Sequence, residues 1–324
     1  MKYYRLKTTD PYLNLATEEY LLENEDDDVF MLWQNEPSVV VGINQNIRAE
    51  VDTAALNSRG VHPVRRITGG GAVYHDEGNL NYTFIARSEG GIDFKSFSEP
   101  IIKALATLGV TLTLSGRNDL CLPDGRKVSG NAQCKRGGRV LHHGTLLFES
   151  DLGALSSLLT PSPEKLATKA IRSTAARVAN LRELLPDIGC AAELADAIEA
   201  YVLKSFGPTT DEPPTSDEVL RLAERNRSDM WLYPESGISA SFSVTKEKRY
   251  PFGTVSARLS FLGDTLTELR IEGDFFGEGD VGELEKSLSG KRTDELGVAI
   301  RAADISKYIH GMTPEELELL FLSE

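Results

Sequence analysis

Three consecutive glycines, Gly69 to Gly71, constrain the folding of this 324-residue chain more than any other feature. They lie in the run Arg65-Arg66-Ile67-Thr68-Gly69-Gly70-Gly71-Ala72-Val73-Tyr74-His75-Asp76-Glu77-Gly78-Asn79, directly after a strand-like stretch, Val61 to Arg66. Without Cβ atoms, such a loop leaves backbone N–H groups open to a ligand lying against the main chain. Arg65 and Arg66 bring paired donors suited to a phosphate or carboxylate. The stretch therefore predicts a pocket for an anionic small molecule where a strand ends. It is not a dinucleotide fingerprint, because Tyr74 stands where the last glycine belongs. A formal G-x-G-x-x-G at Gly277, Gly279 and Gly282 encloses Glu278 and Asp280, which would repel a pyrophosphate, so it reads as a turn.

A second stretch, Gly116 to Gln133, contains the hairpin signal Asp124-Gly125. On its return strand, alternation predicts Lys127 and Ser129 on one face and Val128 on the other. The small and amide residues Ser129-Gly130-Asn131-Ala132-Gln133 suit a ligand wall better than a solvated face. A third stretch, Leu141-His142-His143-Gly144-Thr145-Leu146-Leu147-Phe148, runs from polar residues into a buried strand.

In this order, the three stretches resemble the lipoate–protein ligases. The matching blocks are Arg65 to Asn79, Gly116 to Asp119, Lys127 to Ala132 and His142 to Leu147. Similarity extends to Asn14 to Glu19, to Lys169 to Leu181 (with Ala170 where a glycine is often found), and to Gly273 to Gly277. The resemblance implies an α+β fold: a mostly antiparallel sheet with helices, related to biotin ligases and class II synthetase catalytic domains. It also implies a small α+β C-terminal domain, with residues 1–245 catalytic and 246–324 accessory.

Such enzymes activate lipoate with ATP, release pyrophosphate, and pass the lipoyl group from lipoyl-adenylate to a lysine. The resemblance makes Lys127 the catalytic cation, placed between the carboxylate and the α-phosphate. It implies ATP or adenylate contacts from Arg66, from the backbone of Gly71, Ala72, Val73 and Tyr74, and from Asn79, Asp119 and Lys127. Lipoate contacts are expected from Arg65, Gly69, Gly70, Gly71, Lys127 and His143, with the choice between His142 and His143 left open by alternation. Magnesium is expected with ATP, held mainly by phosphates, and no protein metal site is expected. Implied acceptors are lipoyl domains of 2-oxoacid dehydrogenase acyltransferase subunits and the glycine cleavage lipoyl carrier. His75-Asp76 fits either a proton relay or a structural turn.

A transferase on the same scaffold would use a cysteine thioester. Here the cysteines are Cys121, Cys134 and Cys190, and none precedes the His-Gly pair. A biotin ligase would arrange its glycine–arginine loop differently, and a non-catalytic lipoate-binding subunit would be expected to lose Lys127 or the glycine loop. The absence of C-x-x-C spacing argues against structural zinc and for a reducing cytoplasm. A net charge of −14 argues against nucleic-acid binding, and no apolar run reaches membrane-span length.

Along the chain, Asp10-Pro11 predicts a helix to Leu22. Strands are expected at 29–33, 38–43, 61–66, 80–86, 111–114, 120–122, 127–129 and 141–148, with helices on one side of the sheet. Further helices are predicted over 98–108, about 173–185 and 191–206. The charged segment Lys246-Glu247-Lys248-Arg249 reads as the junction between domains. Strands 254–262 and 265–274 follow, and Thr313-Pro314-Glu315-Glu316 signals the last helix.

Overall fold

The computed structural model describes residues 1–159, 178–234 and 242–322. Its first helix, α1 (Pro11–Asn24), starts as the sequence predicts. Asp10 accepts hydrogen bonds from the Tyr12 and Leu13 amides, and Pro11 takes the first helical position, where a missing N–H costs nothing.

Eight strands form the main sheet: β1 (Lys2–Arg5), β2 (Val29–Trp33), β6 (Asn79–Arg87), β7 (Thr113–Ser115), β8 (Asp119–Cys121), β9 (Lys127–Arg136), β10 (Arg139–Leu147) and β11 (Thr209–Thr210). Their order is β11-β1-β2-β6-β10-β9-β8-β7. The first two pairings are parallel and the rest antiparallel, so the sheet is mostly antiparallel. A separate sheet, ordered β4-β3-β5, joins β3 (Ser38–Val41), β4 (His62–Arg65) and β5 (Val73–His75). The helices α2 (Ile47–Glu50) and α3 (Thr53–Arg59) connect β3 to β4.

Helices cover both faces of the main sheet, not one. Every residue of β2 is buried, so neither face can be left to water. On one face, α4 (Phe94–Thr107) and α6 (Ala191–Phe206) bury Ile101, Leu105, Leu194 and Ile198 against Phe30, Tyr82 and Leu146. On the other, α1 and the small sheet pack Leu15, Leu22, Val39 and Val64 around Met31 and Leu141. A short α5 (Ala154–Leu158) follows the main hairpin. Of the helix predicted over about 173–185, the part before 178 lies outside the described residues. The rest is a β-bridge at Val178 and a 3-10 turn, Leu181–Glu183. The helix α7 (Asp217–Arg227) lies on α1, where Val219 and Ala223 bury Ala16 and Arg225 grips Glu19 with two nitrogens. It leads into α8 (Asp229–Leu232).

The small domain has its own core, built from Val255, Leu259, Leu269, Phe275, Leu284, Ile300 and Leu317. Strands β12 (Val244–Tyr250), β13 (Gly253–Leu262) and β14 (Thr265–Gly273) form its antiparallel sheet. Helices α9 (Val281–Leu288), α10 (Thr293–Ala302), α11 (Ile305–Tyr308) and α12 (Pro314–Leu322) complete it. The charged segment 246–249 is therefore not a junction but the middle of β12, paired with β13 from Ala257 to Thr254. Thr313 and Glu316 form the expected reciprocal cap: each amide donates to the other's side chain. Among the described residues, no helix is long and apolar enough to cross a membrane.

Candidate active site

The end of β4 separates two adjacent arginines. Arg65 points away from the cavity and is 2% exposed. Its guanidinium donates to the carbonyls of Gly42, Ile43, Gln45, Trp231 and Leu232. The expectation that Arg65 meets the ligand is therefore not met; it braces the loop from behind. Arg66 points inward and organises the glycine loop. It donates to Thr68 Oγ1 and to the carbonyls of Val40, Gly69 and Gly71. Complete burial lowers its pKa to about 10, so it stays cationic at neutral pH.

The three glycines have different tasks. A Cβ on Gly69 would stand 2.4 Å from the Phe275 carbonyl oxygen, so this glycine admits the small domain and not a ligand. Gly70, at φ 91°, donates its amide to Phe275 O at 3.2 Å. Only Gly71 has open space in its Cβ direction, with Asp274 Cβ the nearest atom at 3.9 Å.

Beneath the loop lies a cavity of about 230 Å³. Of the predicted residues, Arg66, Gly70, Gly71, Ala72, Val73, Asp119, Lys127 and His143 line it. Four do not. Arg65 and Gly69 are placed as above. Tyr74 falls on the opposite face of β5 from Val73 and His75, as strand alternation requires. Asn79 is fully buried and donates to Asn81 Oδ1, leaving Asn81 to line the cavity in its stead. Sequence reasoning did not assign a role to Asn81, Arg117 or Asp274, which also line it. Arg117 and Asp274 stand within the stretches Gly116 to Asp119 and Gly273 to Gly277, but nothing in their spacing signals a shared wall.

Lys127 opens β9, its Nζ 2.8 Å from Asp119 Oδ1 on β8. A bulge sets Leu120 opposite Ser129 and Cys121 opposite Lys127, inserting Val128 as an extra residue. The alternation expected between Lys127 and Ser129 is thus interrupted: Lys127 lines the cavity and the fully buried Ser129 does not. Val128 anchors the bulge in the core. The Ala179 amide donates to Lys127 O, fixing the start of the strand.

The histidine doublet divides as alternation allows. His142 packs among Phe94, Phe97 and Tyr82 and hydrogen-bonds Gln133. His143 faces the cavity, with Nδ1 3.1 Å from the buried Glu18 carboxylate and Nε2 2.9 Å from Thr68 Oγ1. Glu18 therefore holds the proton on Nδ1, and Thr68 links the imidazole to Arg66. His75 and Asp76 form no relay. The His75 ring turns inward to Asn35, while Asp76 accepts from the Gly78 and Asp151 amides as a turn residue.

Burial lowers the pKa of both His75 and His142 from 6.5 to about 3. Both stay neutral in the fold but take up protons in the unfolded chain below pH 6.5. Stability should thus fall as pH drops from 6.5 toward 3, by up to about 1.4 kcal/mol per pH unit for each histidine. Urea melts at pH 7 and pH 5 check this, and His142→Phe should flatten the dependence.

None of the three cysteines lines the cavity. Cys134 is buried, with its thiol pushed up to about 12 by desolvation; Cys121 is buried and raised for the same reason; Cys190 is exposed. A Ser substitution of all three that folds normally should keep its turnover, and an acyl-thioester trapped on any of them would contradict this.

Residues 10–203 match the lipoyl protein ligase A/B catalytic domain, and residues 239–321 match the bacterial lipoate protein ligase C-terminus. The chain belongs to the lipoate–protein ligase family. The ligase is 37% identical over 323 residues to the lipoate-protein ligase LplJ of Bacillus subtilis, covering 96% of this chain and 97% of that one. Among solved structures, it is similar to P. falciparum LipL1 in complex with lipoate (TM-score 0.83, 24% identity, 100% of both chains). It is also similar to a lipoate-protein ligase A bound with ATP (TM-score 0.60, 24% identity, 72% of this chain and 98% of that one). These likenesses bear out the α+β ligase fold with its added C-terminal domain.

Proposed function

We propose that this ligase condenses free lipoate with ATP to lipoyl-adenylate, releasing pyrophosphate, and then transfers the lipoyl group to a lysine amine of lipoyl domains as an amide, releasing AMP. The observation that carries the reading is Lys127, held beside Asp119 on the same cavity wall as Arg66, Gly71 and His143. Two anions must meet for adenylation, and a fixed ammonium between them offsets their repulsion. Gly71, Ala72 and Val73 give the nucleotide a backbone surface, and His143, tied to Glu18, borders the lipoyl side. The acyl donor is then an anhydride, not a thioester, which agrees with three cysteines placed off the cavity.

Asp119 and Asp274 are the carboxylates on the wall, and Asp119 is paired with Lys127. Magnesium would therefore arrive with ATP, held by phosphate oxygens. Acceptors in this reading are the acyltransferase subunits of 2-oxoacid dehydrogenases and the glycine cleavage carrier. Three free thiols suit a reducing cytoplasm.

A cavity of about 230 Å³ is smaller than the roughly 300–1,000 Å³ common for small-molecule sites. Two substrates require it to widen, and the small domain roofs it through Asp274. X-ray scattering with and without a non-hydrolysable lipoyl-adenylate analogue should register a domain displacement; identical profiles would refute it.

The proposed activity is tested by intact-mass analysis of a purified lipoyl domain incubated with the ligase, magnesium, ATP and lipoate. A lipoyl mass gain that requires ATP is expected. A gain from an acylated carrier protein without ATP would replace this reading with a transferase.

A further inference from the structure

The cavity wall carries a cation with no assigned task. Arg117 sits in the turn between β7 and β8, after Gly116 at φ 60°. Its Nη1 is buried and has no hydrogen-bond partner among the described residues. The side chain lines the substrate cavity and also a second cavity of about 320 Å³, walled by Lys95, Phe94, Phe252, Phe276 and His310. Arg117 thus stands where the two cavities adjoin.

What faces it comes from the small domain. The Phe276 ring centroid is 5.6 Å from its Cζ, and a Cβ on Gly253 would be 3.2 Å from Nη1. Asp274 lines the same cavity and contributes an opposite charge. Its carboxylate is steadied by the Thr254 amide and by Arg249 at 3.7 Å. Among the described residues no ion pair joins Asp274 to Arg117, so the carboxylate offsets the guanidinium charge from a distance and leaves the missing acceptor unsupplied. A guanidinium nitrogen left without an acceptor suits a phosphate contact, because phosphate oxygens complete its donor set.

We propose that Arg117 is a further phosphate-binding residue for ATP, and that the Asp274 carboxylate of the small domain partly offsets its charge until ATP binds. The inference rests on ATP being the activating substrate. Asp274 then competes with the nucleotide, so removing its charge improves ATP binding while removing Arg117 weakens it. A loss of structure does not produce an improvement, which separates this role from a scaffolding one.

The experiment is lipoate-dependent pyrophosphate release by the full chain, with ATP titrated at saturating lipoate and then lipoate at saturating ATP. Arg117→Ala should raise the KM for ATP roughly 10- to 100-fold, as expected for losing a charge-assisted hydrogen bond, and leave the KM for lipoate unchanged. Asp274→Asn keeps an oxygen for the Thr254 amide, and should lower the KM for ATP by about 2- to 5-fold, the scale of a partly exposed charge pair. In the double variant the gain from Asp274→Asn should vanish. An unchanged or higher ATP KM in Asp274→Asn overturns the offsetting role of Asp274, and an unchanged ATP KM in Arg117→Ala overturns the phosphate contact. Absence of pyrophosphate release by the unmodified protein would bring down the adenylation reading itself, and this inference with it.

Discussion

Lys127→Ala is expected to slow both pyrophosphate release and transfer from pre-formed lipoyl-adenylate by about 100- to 1,000-fold, the usual cost of deleting a preorganised transition-state contact. The structure adds a reason for the effect to be large. Asp119 lies 2.8 Å from the ammonium, so deletion removes a cation and also leaves a carboxylate unbalanced in the cavity proposed to take the two anions. Asp119→Asn in the Lys127→Ala background should therefore recover part of the loss. Lys127→Arg should rescue incompletely, because a planar fork cannot occupy a point between two anions as an ammonium does. Lys135→Ala, which removes an exposed ammonium that donates to Gly90 O, should leave adenylation nearly unchanged. Near-normal rates for Lys127→Ala in both half-reactions would show that the cation is elsewhere.

The second large effect is structural. Gly69→Ala should destabilise the contact between the glycine loop and the small domain by about 1–3 kcal/mol, the range for overpacking a close contact. The new methyl group would meet Phe275 O at 2.4 Å and Phe276 Cα at 3.1 Å, both main-chain atoms that no rotamer change can clear. Thermal unfolding should split into two transitions, and the scattering radius should rise. Gly71→Ala is the control: its methyl has room, so the fold should persist while the cavity narrows. A single, unshifted transition in Gly69→Ala would contradict the assignment.

These two substitutions also show what a linear sequence reveals of this protein. The place of Lys127 on the cavity wall was legible because a hairpin signal and a run of small residues surround it within one contiguous block. The fold class was legible for the same reason, since alternating strands and helix caps are local features. The division of labour between Arg65 and Arg66 was not, because both precede the same glycines and only the carbonyls of Trp231 and Leu232 reveal which one is structural. Asn79 was misplaced by two positions along β6, where a buried amide chain hands the cavity to Asn81. The stretch from 246 to 249 reads as a domain junction by charge, yet an exposed strand on a small sheet can carry that many charges when only one face is buried. Asp274 and Arg117 reach the same cavity wall by domain docking, and no spacing rule encodes a shared wall across 157 positions.

The carbonyl cage around Arg65 bears on the order in which the protein can become competent. Two of the acceptors it has among the described residues belong to Trp231 and Leu232, 166 and 167 positions downstream. The Trp231 indole in turn donates to Arg65 O. During synthesis, which proceeds from the N-terminus at roughly 5–20 residues per second, the ligand loop emerges long before the segment that braces it. A growing chain would thus hold every residue of the loop and of Lys127 without a firm floor beneath the arginines. For the same reason, a recombinant fragment ending at residue 203 would omit that floor, whereas one carried through Leu232 would include it.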